Sequence, residues 1–76
     1  MSQNDKNYTE ARDAQRIARL AYHYALDLQF GVGEVGAVED YNDETQAAFK
    51  TWRESSTAAY KAWLILWGRT IPEDLK

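Results

Sequence analysis

Residues 30–36 read Phe30-Gly31-Val32-Gly33-Glu34-Val35-Gly36, and their reading decides the fold. Three of the chain's four glycines fall inside this stretch. Glycine tolerates the left-handed backbone that ends helices, so a helix arriving from the N-terminal side stops at Phe30. Two valines set among glycines make a poor strand. The segment therefore reads as a hinge, and the chain on either side of it reads as helix.

Upstream, Asn7-Tyr8-Thr9-Glu10 has the N-cap and N3 spacing of a capping box. The first helix accordingly starts near Asn7 or Thr9, leaving residues 1–6 as a flexible tail. Downstream, residues 37–41 suit a helical turn. The second long helix starts at Asn42 or Asp43, where Asp43-Glu44-Thr45-Gln46 offers another capping box and acids that suit the helix dipole. It runs to about Trp67, because Gly68 is a natural stop. Thr70-Ile71-Pro72-Glu73 predicts a last short turn that carries Ile71 and Leu75 back onto the body.

Periodicity supports both helices. At about 100° per residue, Ala14, Ile17, Ala18, Ala21, Ala25 and Leu28 share one face of the first. Ala48, Trp52, Ser55, Ala59, Ala62, Trp63 and Leu66 share one face of the second. An antiparallel helical hairpin is the simplest all-α fold that pairs two such stripes. It has one interior, yet Leu20, Tyr22, Leu26, Phe30, Leu64 and Ile65 lie off the stripes. These residues predict an apolar contact surface. The hinge and the C-terminal turn would cover some of these residues and a second copy the rest, by forming a four-helix bundle; the plainer reading is that the chain itself covers Leu20 and Tyr22.

Composition agrees with a small folded unit. The chain has 76 residues, no Cys and one Pro, which suits a single domain over 1–76. Leu, Ile, Val and Phe number only 14, while Ala numbers 11 and aromatics reach 13%. Such a core is built from small residues and rings. Without Cys there is no disulfide framework, thiolate metal site or Cys nucleophile. The polar residues 1–8 hold no signal-peptide core, and the longest apolar run, 62–67, is too short to span a bilayer. A cytoplasmic location is the expectation, with no membrane and no cofactor. A chain this short, lacking disulfide or metal, commonly relies on a partner for stability.

The net charge of −3 conceals a segregation. Residues 1–30 sum to zero, 31–49 to −5 and 50–76 to +2. Glu39, Asp40, Asp43 and Glu44 belong to an acidic tip suited to steering a basic partner surface. The plainer reading of the tip is a solvated loop followed by acids at a helix start. Asp40-Tyr41-Asn42-Asp43-Glu44 begins like a calcium loop, but Thr45 replaces the required Gly and Thr51 the required bidentate Glu. Calcium is rejected on those grounds. Arg12, Arg16, Arg19 and His23 form a ridge on the first helix, the kind of surface a phosphate backbone or an acidic protein meets. Nearby Asp13 and Asp27, and a pI of about 5.0, favour a solvated face instead. His23 with Asp27 at i+4 resembles half of a catalytic pair, but the pattern supplies no nucleophile.

The expected function is therefore non-enzymatic. The chain reads as a protein–protein interaction module, a small regulator, adaptor or inhibitor that occupies a partner surface and forms a homodimer. Tyr22, Leu26, Phe30, Leu64 and Trp67 are its apolar contact residues, and Arg12, Arg16, Arg19 and the tip acids its charged ones. Phage and mobile-element accessory proteins offer an analogy of size and composition. The competing expectation is a dimeric nucleic-acid-binding protein that uses the Arg ridge.

Overall fold

A computed structural model describes residues 2–75. Two helices run antiparallel, joined through a compact tip: α1 spans Gln3–Phe30 and α2 spans Asp43–Leu66. Two short 3₁₀ turns, Val38–Asp40 and Glu73–Leu75, complete the chain. The described residues contain no strand. None of their helices is long and apolar enough to cross a membrane.

The start of α1 differs from the expected one. Ser2 is the N-cap: its Oγ accepts from the Asp5 N–H at 3.2 Å, while the Asp5 carboxylate accepts from the Ser2 N–H at 3.3 Å. Residues 3–6 are thus the first helical turn rather than a tail; residue 1 lies outside the described residues. No Gly or Pro interrupts 2–9, so the helix extends back to the first residue able to cap it. Asn7, expected to cap, instead accepts within the helix from the Gln3 amide at 2.8 Å.

The ends are set by glycine. Gly31 adopts φ 105° and its N–H donates to Asp27 O at 3.0 Å. Gly68, at φ 67°, follows the α2 cap Trp67. Its N–H donates to Ile65 O, and the Arg69 N–H donates to Leu64 O at 2.8 Å. That pair of bonds is a Schellman closure. At the other end of α2 the cap is Asn42, whose Oδ1 accepts from the Thr45 N–H at 2.8 Å. Asp43 and Glu44 follow in the first turn, so the capping set sits one residue earlier than expected.

The α2 face is the expected one. Ala59 is buried, and Ala48, Trp52, Ser55, Ala62, Trp63 and Leu66 are half-buried. The α1 face is rotated by roughly a quarter of a turn from the expected stripe. Its inward residues are Tyr8, Ala11, Gln15, Ala18, Tyr22, Ala25, Leu26 and Gln29, whereas Ala14, Ile17, Ala21 and Leu28 are exposed. Tyr22 and Leu26 form the core with Tyr41, against which Phe30, Ala48, Phe49 and Trp52 pack.

Three features account for this rotation. The Tyr22 ring stacks on Trp52 at 5.5 Å and 15°, lies 5.3 Å from Phe49, and its hydroxyl bonds that of Tyr41 at 2.5 Å. The Gln29 amide donates to Asp40 O at 2.6 Å and accepts from the Asn42 N–H at 2.9 Å, which fastens the tip to α1. Toward the open end Gln15 donates to Ser56 Oγ at 3.1 Å, between alanines that let the backbones approach. An Ile17-Leu28 interior would forfeit all three.

Candidate interaction surfaces

The rotation redistributes the expected contact residues. Tyr22, Leu26 and Leu64, read from the sequence as facing a partner, are buried in the chain's own interior. Phe30 is half-buried, packed on Tyr41 at 5.9 Å. Trp67 remains open at 65% exposure, because as the α2 cap it stands where the chain turns away.

Of the residues expected off the stripes, Leu20 and Ile65 stay open, and the rest of the surplus apolar surface lies elsewhere. Ile17, Leu20, Tyr24 and Leu28 are 60, 55, 66 and 66% exposed. Their spacing of 3, 4 and 4 places them on one side of α1, with exposed Ala14 and Ala21 along the edge of that arc. From Ala14 to Leu28 this arc carries no charge. On the same side of the hairpin, helical projection from the buried seam sets Ala47, Thr51, Ala58, Ala62 and Ile65 of α2. Periodicity alone sets Ile17 and Leu28 inside and does not single out Tyr24. The signal for Tyr24 was its heptad spacing from Ile17.

The opposite side is basic and aromatic. A shallow groove there is lined by Tyr8, Arg12 and Gln15 of α1 and by Ser56, Ala59, Tyr60 and Trp63 of α2. Arg12 lies over the Tyr8 ring at 5.7 Å, and Arg53 of α2 over the Phe49 ring at 5.6 Å. Arg12, Arg16 and Arg19 border a second shallow depression with Asp13 and Gln15. Among the described residues the one ion pair is Lys50–Glu54 at 3.9 Å, so these arginines point to solvent without a carboxylate partner. Arg53 joins their side only through the hairpin, which sequence separation hides.

The tip acids Glu39, Asp40, Asp43 and Glu44 are all exposed. Glu39 and Asp40 sit in the 3₁₀ turn, and Asp43 and Glu44 at the α2 N-terminus, where they complement the helix dipole. Asp27 Oδ1 accepts from the Gly33 N–H at 3.4 Å. No hydrogen bond joins Asp27 to His23 among the described residues, and the His23 ring rests 5.8 Å from Tyr22. The hydroxyls of Ser55 and Thr57 donate to Trp52 O and Arg53 O, and Ser56 Oγ receives Gln15. Among the described residues no hydrogen bond joins a Ser or Thr hydroxyl to His23.

The chain matches no family model, no curated protein and no solved structure.

Proposed function

We propose that this chain is a non-enzymatic interaction module that occupies a partner surface as a small regulator, adaptor or inhibitor. The observation that carries this reading is the uncharged arc Ile17, Leu20, Tyr24 and Leu28, at least half exposed along one side of α1. A monomer this small rarely leaves so many large apolar side chains open on one face. The narrowest form of the reading is a homodimer assembled as a four-helix bundle.

The testing pair is Ile17→Lys with Leu28→Lys against Arg12→Glu with Arg19→Glu, on the opposite side of α1. Both replace exposed residues by good helix formers, so helicity is retained. The first pair abolishes partner capture from the native host's lysate and the second leaves it intact. Capture unaffected by the lysines refutes the reading.

A second reading rests on the basic side. Arg12, Arg16 and Arg19 border one depression on α1 and lack ion-pair partners among the described residues. That surface suits a nucleic-acid backbone. Its binding would weaken steeply with salt and vanish in the Arg16→Glu, Arg19→Glu variant.

A further inference from the structure

We infer that the occupant of the apolar arc is a second copy of this chain, with α1 lying antiparallel to its own symmetry mate about Ala21. The inference rests on the proposed interaction role and names its partner. Area is the first support. A large apolar side chain offers roughly 150–250 Å² when fully open, so Ile17, Leu20, Tyr24, Leu28 and Ile65, each about half to two-thirds exposed, present on the order of 500 Å². The small residues beside them, Ala14, Ala21, Ala58 and Thr51, bring the patch toward the ~800 Å² per partner of a standard interface. Those small side chains also allow close helix approach, with ring and aliphatic groups filling the flanks.

Charge selects the orientation. Arg16 and Asp27 flank the same edge of the arc, five residues before Ala21 and six after it. In an antiparallel pair centred on Ala21, Arg16 of each copy falls within one residue of the level of Asp27 in the other. A parallel two-fold pair would put this edge of the two copies on opposite sides of the seam, and Arg16 and Asp27 would not meet across it. The antiparallel pair also sends the two acidic tips, −5 each over residues 31–49, to opposite ends.

The test uses the full chain, which has no Cys of its own. Light scattering over a dilution series is expected to give twice the 8.8 kDa chain mass, falling to one chain on dilution. Ile17→Lys with Leu28→Lys is expected to raise the dissociation constant at least tenfold while circular dichroism keeps its helical signal. Under mild oxidation Ala21→Cys is expected to form a disulfide dimer, because residues on the two-fold axis approach within the ~7 Å Cα limit. Leu28→Cys is not, since antiparallel copies separate those positions by roughly 21 Å. Crosslinking of Leu28→Cys refutes the orientation. A monomer at every concentration refutes the second copy. If that monomer still captures a partner through Ile17 and Leu28, the interaction role stands with a different occupant. If the double-lysine variant loses its helical signal, the arc is structural and both readings fall.

Discussion

Replacing Tyr41 by Phe removes one of two hydroxyls that bond each other at 2.5 Å in the core. Tyr22 and Tyr41 are 8 and 5% exposed, so water does not readily replace the lost partner. Tyr22 Oη is then buried with an unmet hydrogen bond, at a cost of about 1–3 kcal/mol. Tyr22→Phe costs a similar amount by orphaning Tyr41. The double variant Tyr22→Phe, Tyr41→Phe removes both polar groups together and leaves their rings in place. It is expected to be no less stable than either single variant, which gives a coupling of about 1–3 kcal/mol. A chain of this length has roughly 4–11 kcal/mol of stability, so each single change shifts the unfolding midpoint measurably. Urea titration followed by tryptophan fluorescence is a suitable assay, because Trp52 stacks on Tyr22. Strict additivity would refute the reasoning: a double variant as destabilised as the sum of the singles means the hydroxyls are not each other's buried partner.

Burial, followed by the bond to Tyr41 and its proximity, pushes the Tyr22 hydroxyl up to about 12. An unfolded tyrosine ionises near 10. Between those values the folded chain holds the proton more firmly, so its stabilising effect is complete below about pH 10 and is lost as pH rises toward 12. Urea midpoints from pH 9 to 12 should fall more steeply for the wild type than for Tyr22→Phe; equal slopes would disprove this role. Gly36→Ala would place a Cβ inside the space held by the Phe30 ring, forcing that ring off the tip. The expected cost is about 1–3 kcal/mol, read as a lower thermal midpoint, and an unchanged midpoint would contradict it. Thr45 is 1% exposed and its hydroxyl has no partner. Thr45→Val keeps the shape, so thermal unfolding should move up by a few degrees, whereas a drop would mean the hydroxyl is satisfied.

The chain's own order determined the two helices and their stops. Gly31 and Gly68 end them because only a residue free of Cβ strain adopts those positive φ values cheaply, and Asn42 marks the second start. The inward stripe of α2 was equally legible, since Trp52, Ala59 and Trp63 form a single arc. The first helix was not, because it carries two apolar arcs. Periodicity reports the angle between residues on one helix, but it does not say which arc meets another element. Ala14, Ile17 and Leu28 are as regular as Ala18, Tyr22 and Leu26. Tertiary structure chose the second set, for reasons located on α2 and the tip: the rings of Phe49 and Trp52, the Tyr41 hydroxyl, and backbone groups of Asp40 and Asn42 awaiting Gln29. That choice moved Tyr22 and Leu26 from surface to core and brought Ile17 and Leu28 out to solvent, where they join Leu20 and Tyr24.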